Sequence, residues 1–130
     1  MTDDTLLHRQ VHPHFIVNDK ISSQVFSVSI ASTVFKPTLK DEGKLSVYNG
    51  DKYTAEQSYE HYEYLSAGVV SVSKKECTSE ELECTEDNNP FDGHSYINFE
   101  GLSNNQIEKK AKKLKSLAVK RGWQYGPNNN

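Results

Sequence analysis

The chain has 130 residues, 35% hydrophobic and 25% charged, which fits one domain burying roughly two-thirds of its unfolded surface. No run approaches the roughly 18 apolar residues of a membrane span, and Met1-Thr2-Asp3-Asp4 is acidic where a secretory leader would be basic. A cytoplasmic protein with no membrane partner is therefore expected. The net charge of −3 hides a polarised distribution: Ser103 to Gly122 holds seven basic residues against one glutamate, and the remainder holds eight basic against seventeen acidic. Asymmetry of this kind bears on partners and self-association rather than on chemistry.

Leu6, Leu7 and Val11 open a first strand, and the following Pro13 predicts an edge position for it. From Ile21 to Phe35, Val25, Ser27 and Ser29 alternate with Phe26, Val28 and Ile30, the period of two of a half-buried strand. Val25-Phe26 recurs as Val34-Phe35, which predicts a hairpin or one bulged strand. Lys40-Asp41-Glu42-Gly43 is turn chemistry, Leu45 to Tyr48 a strand, and Asn49-Gly50 a turn. Thr54 and Gln57 form a capping box for a helix with Ala55, Tyr59, Tyr62 and Ser66 on one face, ending at Gly68. Val69, Val70 and Val72 predict a central strand.

Thr78 with Glu81 forms a second capping box, for a short helical turn. Glu76 to Asp87 reads as a solvated acidic loop, Asn88-Asn89-Pro90 as a turn and Tyr96 to Phe99 as a last strand. Ser103 with Gln106 then caps a final helix. It places Ile107, Ala111, Leu114 and Ala118 on one face and Lys109, Lys113 and Lys120 on the other, before Gly122. The order predicts an α+β fold: a small, mostly antiparallel sheet with two main helices packed on one face. One domain spans 1–130, with an ordered core from about 6 to 125 and frayed termini. Cys77 and Cys84 are too few for a disulfide scaffold, and a reducing cytosol would keep them apart, although the sequence leaves a pairing between them open.

Several segments resemble a group of small, stand-alone, uncharacterised bacterial proteins. They are His12-Pro13-His14-Phe15, Ser22-Ser23-Gln24-Val25-Phe26, Lys36-Pro37 and Lys40-Asp41-Glu42-Gly43-Lys44-Leu45-Ser46-Val47. Ser66-Ala67-Gly68-Val69-Val70 and Gln106-Ile107-Glu108-Lys109-Lys110-Ala111 continue the similarity, from which Ser27 to Phe35 departs as an insertion. The resemblance implies a compact bacterial domain and transfers no activity and no site residue.

The densest reactive set is His8, Arg9, His12 and His14. His12 and His14, two apart, would share one side of an extended segment, yet a zinc site needs three or four ligands. His61, His94, Cys77 or Cys84 would have to complete it, so no metal is assigned. Arg9 or His8, then Ser22 and Ser23, then Glu100 follow the order in which ADP-ribosyltransferase-like domains hold NAD, a resemblance of order alone. Asp92 beside His94 would make a minimal general-base pair. No nucleophile-elbow, phosphate-loop or dinucleotide fingerprint occurs, and no cofactor is assigned.

The expected function is a small cytosolic interaction or regulatory protein that binds a protein partner, of the antitoxin or immunity kind. Lys109, Lys113 and Lys120, or Glu80 and Glu83 in the acidic segment, would carry that contact. The alternative is an enzyme acting on a nucleotide, NAD or RNA, with Arg9, His12, His14, Ser23 and His94 gathered in one pocket. A nucleic-acid module using the basic helix comes third. The excess of lysine over arginine, the lack of interleaved aromatic residues and the acidic remainder all weigh against it.

Overall fold

In the computed structural model, which describes residues 1–15 and 30–126, five strands form one antiparallel sheet. They are β1 (Leu6–Val11), β2 (Lys44–Asn49), β3 (Gly68–Ser73), β4 (Glu83–Thr85) and β5 (His94–Asn98), in the order β3-β1-β2-β5-β4. Among the described residues three α-helices accompany them: α1 (Ala55–His61), α2 (Lys74–Ser79) and α3 (Asn104–Arg121). The fold is α+β, as the order of elements predicts.

The last helix forms for the reasons its sequence displays. The Ser103 hydroxyl accepts the Gln106 N–H at 3.2 Å, and the Gln106 side chain accepts the Ser103 N–H at 2.8 Å. Ala111, Leu114 and Ala118 are fully buried and Ile107 half-buried, whereas Lys109, Lys113 and Lys120 are exposed. The buried stripe joins Leu7, Val11, Leu45, Val47 and Ile97 of the strands in one core with Phe35 and Phe99. Burial of each large aliphatic or aromatic side chain there contributes about 1.5–3 kcal/mol. Gly122 closes α3 with φ 91°, a value that suits glycine. The helix α1 carries the expected Thr54–Gln57 capping box and meets the sheet where Ser58 approaches the Gln10 amide at 3.4 Å.

Tertiary context overrides the sequence at several places. β1 is an interior strand, because Pro13 falls beyond its last residue and leaves every ladder donor intact. β3 lies at the sheet's end although all six residues are buried; the returning chain protects it, with the Val69 N–H donating to the Tyr125 carbonyl at 2.8 Å. α1 stops at His61 instead of reaching Gly68, since Ala67 must donate to the Val11 carbonyl at 2.7 Å to start β3. Ser73 and Glu76, not Thr78 and Glu81, form the middle capping box, and the Thr78 hydroxyl donates back to the Lys74 carbonyl. The acidic segment is partly ordered as the end of α2 and as β4.

Most of the predicted strand from Ile21 to Phe35 lies outside the described residues. Its end is a 3-10 turn, Ser32–Phe35, which buries Val34 and Phe35 without a ladder. At the N-terminus Thr5 is buried, its hydroxyl donates to Asp51, and the Met1 amino group lies 3.1 Å from Glu86.

Candidate functional site

The sheet splits between β1 and the central strand β2. β1 and β2 register only at Leu7 with Asn49 and His8 with Tyr48, whereas β1 stays paired to β3 as far as Val11 and β2 to β5 as far as Lys44. Beyond His8 the side chain of Arg9 occupies the gap. Its Nε donates to the Val34 carbonyl at 2.8 Å and its Nη1 to the Ser46 carbonyl at 2.9 Å. A cleft of about 470 Å³ opens at this split. Ser46, Tyr48 and His94 line it because they alternate with the core positions Leu45, Val47 and Ser95.

Arg9 is the cation of this cleft, and no carboxylate among the described residues pairs with it. Two of the five guanidinium N–H donors are fixed by carbonyls, which orients the plane and leaves the rest for a ligand. Burial pushes its pKa down, with Tyr62 and Asp41 opposing, but a guanidinium stays charged at any physiological pH. His12 lines the same cleft, and its Nδ1 accepts the His14 N–H at 3.0 Å. In the neutral ring this leaves the proton on Nε2, a donor available to an anion.

Ser46 and His94 line another part of the wall, and Asp87 stands behind His94. His94 Nδ1 lies 2.6 Å from Asp87 Oδ1, and His94 Nε2 lies 3.1 Å from Ser46 Oγ. With the neutral ring donating from Nδ1 to Asp87, Nε2 accepts the Ser46 hydroxyl. The loop before β5 holds this geometry. The Asn88 N–H donates to the His94 carbonyl at 3.0 Å, and the Gly93 N–H donates to Asn88 Oδ1 at 2.9 Å. Gly93 has φ 98°, and a Cβ there would stand 2.5 Å from the Tyr53 ring, so only glycine fits.

Aromatic rings build the adjoining wall, where Phe91 also meets His94 at a centroid distance of 5.4 Å. Phe91 packs on His61 at a centroid distance of 4.4 Å and on Tyr48 at 5.1 Å. Burial, with Tyr53, Tyr62 and Glu63 adding to it, pushes the Tyr48 pKa up to about 12. Tyr48 therefore keeps its proton and donates it to His61 Nδ1 at 2.9 Å. The early end of α1 frees Tyr62, Glu63 and Tyr64 to reach the cleft, and Tyr64 is 75% exposed at its rim. His8 touches the cleft floor but is occupied: its Nε2 donates to the Tyr53 carbonyl and its Nδ1 accepts from Ser71 Oγ at 2.7 Å.

Of the five catalytic candidates, Arg9, His12 and His94 come together. His14 is exposed and does not line the cleft, because Pro13–Phe15 is a 3-10 turn in which alternate residues no longer share a side. Ser23, with Ser22, lies outside the described residues. Glu100 does not line the cleft either; it packs against Gly43 at the far end of β5, which breaks the NAD-holding order. Asp92 is not the partner of His94, since it pairs with Lys52 at 2.6 Å, and Asp87 takes its place. Sequence reasoning missed Ser46, Asp87, Tyr48 and Phe91. The outward positions of the Leu45 to Tyr48 alternation were the available signal for two of them.

No three His, Cys, Asp or Glu side chains gather as metal ligands among the described residues. Cys77 and Cys84 are free thiols, and hydrogen bonding to Cys84 together with burial raises the Cys77 pKa. The polarised charge is partly neutralised within the molecule, where Arg121 pairs with Glu76 at 2.7 Å; Lys110 donates to the neutral backbone carbonyl of half-buried Glu80. Glu83 on β4 is exposed. Among the described residues no helix is long and apolar enough to cross a membrane. Compared with known proteins, the chain matches no family model, no curated protein and no solved structure.

Proposed function

We propose that the cleft binds a small anionic ligand bearing a flat ring, of the nucleotide class, and that the protein is an enzyme acting on it. The observation that carries this reading is Arg9: a cation set into a cleft, oriented by two carbonyls and forming no ion pair among the described residues. A planar fork with free donors suits a phosphate or carboxylate, and His12 adds a further donor. Phe91 and His61 offer ring faces for stacking, and the volume falls within the range of small-molecule pockets. The acidic charge outside α3 favours a single nucleotide over a polyanion, whose many phosphates would meet that field together.

Calorimetric titration with nucleoside monophosphates, nucleosides and inorganic phosphate tests the assignment. The monophosphate should bind most tightly, with phosphate and nucleoside each weaker. Equal binding of nucleoside and monophosphate would remove Arg9 from recognition and end this reading.

The partner-binding reading has a separate support. Lys109, Lys113 and Lys120 are exposed on α3, and none forms an ion pair among the described residues. An acidic protein surface complements that stripe. A pull-down at low salt that recovers no stoichiometric partner counts against it.

A further inference from the structure

We propose that Ser46, His94 and Asp87 form a nucleophilic acyl-transfer centre that hydrolyses carboxylic esters at the edge of the cleft. Three requirements of such a centre are met by geometry. A hydroxyl lies within reach of an imidazole, 3.1 Å from Ser46 Oγ to His94 Nε2. A carboxylate fixes the tautomer, 2.6 Å from Asp87 Oδ1 to His94 Nδ1. The nucleophile is accessible, for Ser46 is exposed and lines a concave surface. The side chains of His94 and Asp87 are only 13% and 31% exposed, so water competes weakly for their hydrogen bond.

The reaction balances within these groups and water. Ser46 Oγ bonds to the ester carbonyl carbon as its proton passes to His94 Nε2, and the imidazolium is held by Asp87. The tetrahedral adduct expels the alcohol, which takes that proton from His94 and leaves an acyl-serine. Water then attacks the acyl carbon, His94 accepts its proton, and the carboxylic acid departs as Ser46 recovers its hydrogen. Arg9, whose Nη1 holds the Ser46 carbonyl at 2.9 Å, places positive charge beside this centre. An ester carrying a negative charge is therefore the substrate class. That choice rests on the reading of Arg9 as an anion site; the nucleophile does not.

The test has two arms that separate these claims. A neutral fluorophosphonate probe, followed by peptide mass spectrometry, reads the nucleophile without needing Arg9. Labelling is expected at Ser46, absent in Ser46→Ala, and slowed by roughly a hundredfold or more in His94→Ala, the usual contribution of a general base. Asp87→Asn, at a more exposed position, should slow it by at least roughly tenfold through loss of the tautomer lock. Circular dichroism melts confirm that each variant is folded. No labelling of Ser46 in the folded wild type, or an unchanged rate in folded His94→Ala, would overturn the centre.

The second arm compares hydrolysis of p-nitrophenyl acetate with that of the charged p-nitrophenyl hemisuccinate. The wild type should prefer the charged ester and Arg9→Met should lose that preference. Equal rates on both esters in the wild type would overturn the substrate class while leaving the nucleophile in place.

Discussion

Replacing Arg9 with methionine removes the guanidinium and keeps most of the aliphatic length that spans the gap between β1 and β2. At a nucleoside monophosphate concentration a hundred times Kd, ligand binding stabilises the wild type by about 2.7 kcal/mol. With 130 residues, the unfolding entropy is about 0.27 kcal/mol/K, so the melting midpoint should rise by about 10 °C. Charge-assisted hydrogen bonds to the anion contribute roughly 1.5–3 kcal/mol, so Arg9→Met should weaken binding roughly ten- to 150-fold. At the same ligand concentration the upward shift then shrinks to between about 1 and 5 °C. The ligand-free midpoint should move by less than about 7 °C, because two opposing effects act together. The Val34 and Ser46 carbonyls each lose a donor, and a desolvated charge is removed. Thermal melts followed by circular dichroism, with and without ligand, decide the matter. An identical ligand-induced shift in wild type and Arg9→Met would refute Arg9 as the anion-binding group.

Burial holds the His8 imidazole below its ordinary value of 6.5, partly opposed by the Tyr53 carbonyl. The unfolded chain then binds the extra proton first, so stability is full above the unfolded value and falls as pH drops toward the folded one. One proton gives a slope of up to about 1.4 kcal/mol per pH unit, and His8→Gln should flatten urea-unfolding stability between pH 7 and 5 by that amount. An unchanged slope would show that His8 is not held neutral. Leu114→Ala should cost about 2–5 kcal/mol and lower the melting midpoint by about 7–18 °C, since the site is fully buried beneath α3. A loss below about 1 kcal/mol would mean that α3 does not seal the core. Ser103→Ala should cost about 1 kcal/mol, read as a midpoint lower by about 4 °C, through the lost cap on the Gln106 N–H.

Local signals were enough for the sequence to determine α3, its Ser103 cap, its buried stripe and its exposed lysines. The same holds for the strand alternation of β2 and β5 and for the start of α1 at Thr54. These features depend on residues within about one helical turn or one strand repeat, where spacing maps directly onto faces. Arg9, His12 and His94 were also visible as reactive residues, though not the reason they meet.

Only the tertiary structure decided that β1 is interior, that β3 closes the sheet under Tyr125, and that the sheet parts beyond His8. It also replaced Asp92 with Asp87 as the carboxylate on His94, and brought Ser46 under that ring across forty-eight positions of chain. Strand order and cross-strand register are settled by how many separated segments bury their apolar faces and satisfy their backbone groups together. A gap between strands, and the arginine that fills it, arises from that collective packing, and no local run of residues encodes it.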